Sequence, residues 1–163
     1  MTPDPLPGRP VRDSVSEYAE LALPNDANGL GHVLGGKVMH LVDLAGALAA
    51  MRHCRRSVVT ASVDHMSFLH PVHIGQLIIV RASVNRVFRT SLEVGVKVEV
   101  EDLLTGARCH TSSAYLTFVA IDENHKTIPI PPVIPETQEE MRRYKEAGDR
   151  RSYRLEQRAR AKF

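Results

Sequence analysis

The hydrophobic period of the chain changes partway along it. From residue 35 to residue 54 (GGKVMHLVDLAGALAAMRHC) apolar or small side chains fall on nearly every side of a helical projection, with Val38, Leu41, Val42, Ala45, Leu48 and Ala49 among them. A surface helix carries a polar stripe. This stretch carries almost none, so it predicts a helix of about five turns wrapped by the rest of the fold. Arg55-Arg56-Ser57 ends it, and beyond that the period drops to two. Residues 58–69 read as a strand broken near His70-Pro71, and 76–87 as another. In 90–100, Leu92, Val94, Val96, Val98 and Val100 alternate with polar or small residues. Residues 102–106 form a turn and 108–121 a last long strand. Upstream, 14–23 alternates loosely and reads as a first strand, followed by a loop rich in Pro, Asn, Asp and Gly. Short connections between successive strands favour antiparallel pairing. One buried helix and a long antiparallel meander define an α+β domain over residues 14–122. A curved sheet covers such a helix on one side only, so a second copy in a homodimer is expected to close the other.

The flanks read differently. Residues 1–13, MTPDPLPGRPVRD, are expected to be disordered or draped over the surface. Residues 123–163 hold a proline-rich strap, IPIPPVIP, and a charged helical tail. Thr137 and Glu140 make a capping box. The helix after it is expected to stop at Gly148, with a second, basic helix over 150–162.

Composition narrows the function classes. A chain of 163 residues suits one domain with a sizeable core. A net charge of +2, with no base-reading pattern in the tail, gives no reason to expect nucleic acid as a partner. Two cysteines far apart suit a reducing compartment, and the start of the chain lacks the apolar run of a signal peptide. The expected location is the cytoplasm, with no membrane partner. Phosphate-loop, dinucleotide and serine-elbow motifs are missing. The eight histidines have no zinc-type spacing, so no metal is expected, and no cofactor either. Cys54 is either a thiolate nucleophile or an apolar plug at the helix end.

Two positions stand out. Asp43 is the acid in the apolar helix, with His40 on the same face. A carboxylate there is costly unless it is paired, protonated or beside a wet cavity. It either bonds a nearby amide or a partner subunit, or it does chemistry. Asn28 is a neutral amide in the loop before Gly35-Gly36. An amide can hold a carbonyl or a water, and a carboxylate can take the water's proton or attack directly. The free N–H groups of the helix start can bind an oxyanion. Together these suit hydrolysis of an activated acyl group.

The motifs carrying these residues resemble a family. Asn-Asp-Ala-Asn28, Gly31-His-Val-Leu-Gly-Gly36, Leu-Val-Asp43-Leu-Ala-Gly-Ala and Met-Arg-His-Cys54 are similar to the hotdog-fold acyl-CoA thioesterases. The likeness is to brain-type cytosolic acyl-CoA hydrolases and their single-domain bacterial relatives. Val-Val-Thr60-Ala-Ser62 through Ile-Gly75 and Arg89-Thr-Ser91 extend it. The resemblance implies an antiparallel sheet around one central helix, in homodimers often assembled as trimers of dimers. It implies an acyl-CoA substrate and an active site at the dimer interface, with Asn28 and Asp43 contributed by different subunits. It places the thioester carbonyl at Gly35 and Gly36, with His32 nearby. It makes Ser62, Arg89, Thr90 and Ser91 candidates for holding the coenzyme A arm. Leu34 departs from the histidine that the brain-type enzymes often carry before the glycine pair. Two alternatives remain. One is a hotdog enoyl-CoA hydratase or dehydratase, for which Asp26, Asn28 and His32 approximate the signature with His32 one residue late. The other is a non-catalytic acyl-CoA-binding regulator.

Overall fold

The computed structural model describes residues 5–161. Gly35–Cys54 forms a single helix, α1, over the predicted bounds. It ends where Arg55 adopts a left-handed conformation (φ 55°) and its N–H bonds the Met51 carbonyl at 2.7 Å. The strands β2 (Ser16–Leu21), β3 (Ser57–Val63), β4 (Leu77–Val87), β5 (Ser91–Glu101) and β6 (Arg108–Ile121) build one antiparallel sheet in the order β2-β4-β5-β6-β3. The alternating residues found in the sequence point inward. Ile78, Val80 and Val84 meet Leu92, Val94, Val98, Leu116 and Phe118, all essentially sealed from solvent against α1. This is the α+β, sheet-around-helix architecture that the period change implied.

The structure corrects several expectations. The sheet is not a simple meander, because β3 lies at the far edge against β6 rather than beside β4. Strand β3 stops at Val63, short of the predicted 69. Beyond it only the Asp64 N–H to Tyr115 carbonyl bond (2.8 Å) and the Leu69 N–H to Thr111 carbonyl bond (2.9 Å) tie this stretch to β6. Helix α1 is not wrapped all round within the chain but covered on one side only, as expected of a curved sheet. Val38, Leu41, Val42, Ala45, Gly46, Ala49 and Ala50 face the sheet, whereas Met39, Leu44, Leu48 and Met51 are exposed.

The segment expected to be disordered is partly seated. A short strand β1 (Arg9–Pro10) pairs in parallel with β7 (Val133–Ile134) of the proline strap, and Val11 is buried beside it. Residues 1–4 of that expectation lie outside the described residues. The tail is one helix, α2 (Gln138–Arg160), begun by the predicted Thr137/Glu140 capping box. Gly148 does not stop it. A β-carbon there would collide with the Arg86 guanidinium, which crosses α2 to lie over the Tyr144 ring at 4.3 Å. The glycine serves close approach to the sheet rather than termination. Among the described residues, no helix is long and apolar enough to cross a membrane.

Candidate active site

The loop before α1 is locked by its own polar groups. Asn28 Oδ1 accepts the N–H groups of Leu30 (2.9 Å) and His32 (3.1 Å), and the Asn28 N–H donates to the His32 carbonyl at 2.6 Å. Gly31 takes φ +78°, which a side chain would oppose. The amide nitrogen of Asn28 makes no hydrogen bond among the described residues, so its two donors stay available. His32 stands edge-on to His73, with ring centroids 4.9 Å apart. Asp26 is engaged structurally. It accepts the Leu23 N–H at 3.1 Å and pairs with Lys37 at 3.5 Å. Lys37 also bonds Glu20 and holds that carboxyl below the usual range. The acid of the hydratase-like signature is thus committed to the corner between β2 and α1.

Helix α1 opens without a side-chain cap and with no acid in its first turn. The first N–H groups of a helix point outward with the positive end of its dipole. Gly36 has open space where a side chain would stand, and the Phe68 ring lies over Gly35, 3.5 Å from where a β-carbon would sit. This end of the helix can accept a polarised carbonyl oxygen.

Asp43 lies two turns further on, about 12 Å along the axis at about 1.5 Å per residue. It is half-buried at the border of the open apolar face. Its Oδ1 accepts a 2.7 Å hydrogen bond from Thr60 Oγ1 of β3, and it has no ion pair among the described residues. The register of β3 shifts between Thr60 and Ser62, a bulge of the kind that re-aims side chains next to active sites. Nothing in the sequence pattern assigned a role to Thr60. Its only signal was a hydroxyl inside the Val-Val-Thr-Ala run that carried the family likeness.

The predicted residues therefore fall in three places. Asn28, His32, Gly35 and Gly36 gather at the start of α1. Asp43 stands mid-helix with Thr60, and Ser62 lies two residues further along β3. Arg89 and Thr90 lie in the β4–β5 turn and Ser91 opens β5, where it pairs with Val119, which in turn pairs with Val59 of β3. The Arg89 and Thr90 carbonyls accept the N–H groups of Ile130 (3.0 Å) and Ala120 (3.1 Å), and Arg151 donates to Ser91 Oγ at 3.3 Å. Arg89 borders a cleft of about 1360 Å³ at the far end of α1, together with Arg55, Arg56, Phe88 and the strap prolines. Cys54 also lines this cleft, but it is buried, and burial pushes its thiol up, away from the thiolate a nucleophile needs. Of the histidines near the end of β3, His65 bonds Ser67 and His73 faces His32.

Comparison with known proteins identifies the family. The thioesterase superfamily pattern matches residues 30–107. An acyl-CoA thioester hydrolase of Bacillus subtilis is 41% identical over 80% of this chain and 76% of its own length. The rat cytosolic acyl coenzyme A thioester hydrolase is 32% identical, over 86% of this chain but 37% of its own length. A hexameric acyl-CoA thioesterase superposes with TM-score 0.91 at 40% identity, covering 96% of this chain and all of that one. An acyl-CoA hydrolase from Staphylococcus aureus, solved with butyryl coenzyme A and coenzyme A, superposes with TM-score 0.88 at 31% identity, covering 95% of this chain and 94% of that one. Solved variants of that protein replace an Asp43, an Asn28 or a Thr60 with alanine, the same residue types at the same numbers as here. The fold and sequence define a hotdog domain. The chain belongs to the thioesterase superfamily, in its branch of acyl-CoA thioester hydrolases.

Proposed function

We propose that this protein hydrolyses acyl-CoA thioesters at a site shared by two copies of the chain, in the cytosol. The observation that carries the proposal is Asp43, a carboxylate without an ion partner among the described residues, oriented by Thr60 at the edge of an exposed apolar helix face. The Gly35 and Gly36 amides lie about 10–12 Å away along the same helix, and the Asn28 loop leads into them. A second copy packed on Met39, Leu44, Leu48 and Met51 covers that face and brings its own Asn28 loop toward Asp43. Strand β3 adds to this interface, since it is a sheet edge that pairs on one side only, with Val59 and Val63 exposed. The hexameric relatives support assembly of such dimers in threes.

In this arrangement the thioester carbonyl sits on the Gly35 and Gly36 amides of one protomer, and Asn28 steers the carbonyl or the attacking water. Asp43 of the other protomer takes the water's proton as its oxygen attacks the carbonyl carbon, or attacks directly to form an anhydride that water opens. In the first route the C–S bond breaks as the tetrahedral adduct collapses. In the second it breaks as the anhydride forms, before water opens it. In both, coenzyme A leaves as thiolate. The desolvated amides favour the developing oxyanion over the ground-state carbonyl. The coenzyme A arm runs toward the arginine-rimmed cleft. From sulfur to the first phosphate it has about 13 bonds, or about 15 Å at the reach of an extended backbone. The eleven residues from Asp43 to Cys54 span about 16 Å.

A thiol-trapping assay on a panel of acyl-CoAs of increasing chain length tests the proposal. Release of one thiol per thioester is expected. Tight binding without thiol release favours the regulator, and loss of the crotonyl-CoA double-bond absorbance favours the hydratase.

A further inference from the structure

The chemistry above leaves unused a buried ionic cluster on the outer face of the sheet. Glu93 of β5 is fully buried. Its carboxylate takes a two-pronged hydrogen bond from Arg150 of α2 (2.7 and 3.1 Å) and one from the Asn85 amide (3.0 Å). Arg150 in turn lies 3.6 Å over the Tyr115 ring. One turn further along α2, Arg154 reaches Glu93 at 3.7 Å and donates to Asp64 Oδ2 at 2.6 Å. The Asp64 and Arg154 side chains are each about four-fifths shielded. Arg150 and Arg154 thus bridge Glu93 and Asp64 beneath the tail helix, with Glu146 also 3.9 Å from Arg150, and Arg150 and Glu93 anchor the cluster.

Asp64 is the residue at which β3 leaves the ladder. The segment it opens is tied to β6 by only two backbone bonds, at Asp64 and at Leu69. Between those ties the chain carries Phe68, the ring that covers Gly35. With so few backbone restraints, the segment depends on side-chain anchors for a single position. We propose that Arg154 is a positioning residue. Through Asp64 it holds residues 64–69, and with them the Phe68 ring, against the first turn of α1. This rests on the proposed use of the Gly35 and Gly36 amides, and it gives the basic tail helix a task at a site it does not touch. Phe68 shields those amides from bulk water on one side, and a water-poor surround strengthens their grip on a developing negative charge. A segment that swings away lets water in and weakens the transition state more than substrate binding.

The test uses the full-length protein with Arg154→Ala and Arg154→Lys. Hydrogen exchange read by mass spectrometry is expected to speed up about tenfold in peptides spanning 64–69 for Arg154→Ala, the loss expected when a charged hydrogen bond is removed. Exchange in the β4 and β5 peptides should stay as in the parent, because Arg150 still holds Glu93. The kcat is expected to fall several-fold with KM little changed, and Arg154→Lys is expected to restore most of both effects. Exchange over 64–69 that matches the parent in Arg154→Ala overturns the proposal, as does faster exchange with kcat unchanged. Failure of the parent protein to hydrolyse any acyl-CoA refutes the catalytic reading instead. The exchange comparison still decides whether Arg154 holds the segment.

Discussion

Replacing Gly46 with alanine sets two effects of similar size against each other. Alanine inside a helix is favoured over glycine by roughly 1 kcal/mol. Gly46 however faces the sheet, and an added β-carbon would stand 3.0 Å from two ring carbons of Phe118. Phe118 is fully buried, so it can yield only by displacing its packed neighbours. Crowding of this kind costs about 1–3 kcal/mol in a packed core. The net expectation is a loss of about 1 kcal/mol, which lowers the melting temperature by about 2–4 °C for a domain of this size. Relief by sliding α1 off the sheet moves Asp43, three residues earlier, against Thr60 on β3. A misplacement of about 1 Å can cost about a hundredfold in rate, so a shift of half that is expected to lower kcat about tenfold. Thermal unfolding and steady-state thiol release on the same preparation measure both effects, and adding Phe118→Leu should recover part of each. A Gly46→Ala protein that melts higher than the parent with unchanged kcat refutes the packing argument.

Thr60→Val keeps the shape of the side chain and removes the hydrogen bond to Asp43. Because Thr60 is exposed, the expected loss is about 1 kcal/mol, or several-fold in kcat with KM unchanged, read by thiol release. Leu48→Asp places a charge in the middle of the open helix face. Analytical ultracentrifugation is expected to show smaller species, with hydrolysis lost in parallel. His53 is fully buried against the Pro131 carbonyl at 2.8 Å, and burial lowers its pKa below the ordinary 6.5. The unfolded chain therefore binds the proton more readily. The stability from the neutral ring is complete above about pH 6.5 and is lost as pH falls from there through the folded-state value. Melting temperatures measured from about pH 8 to pH 5 should fall toward the acid end, and His53→Leu should flatten that dependence.

Much of the fold was legible because it rests on period. The helix 35–54 and the strands facing it differ in the spacing of apolar residues, and burial follows that spacing. The position of β3 was not legible, since alternation says which face a strand buries but not which neighbour it pairs with. The use of Gly148 inside α2 was hidden for a similar reason, as the group that lies against it is the Arg86 side chain some sixty residues away in sequence. Docking of 9–13 depends on pairing with the strap, a long-range contact between two proline-rich stretches that each read as irregular. At the site, Asp43 and Asn28 stood out as polar residues out of place, and the glycine pair as a helix start. Thr60 did not, because a threonine in a strand is ordinary until a bulge turns it toward a carboxylate. Glu93 read as one more outward-facing residue of β5, and only the tail helix lying over it makes it buried.

The proposed function requires Asn28 of one protomer to serve the same site as Asp43 of its partner. Its most direct test is complementation between Asn28→Ala and Asp43→Ala, each expected to be inactive alone. Co-expressed with two different tags and purified through both, the mixed dimer holds one doubly substituted site and one intact site. Thiol release at about half the parent's rate per dimer is the result expected of a shared site. If both residues of a site came from one chain, no intact site would form, and a mixed dimer as inactive as either parent variant contradicts the account.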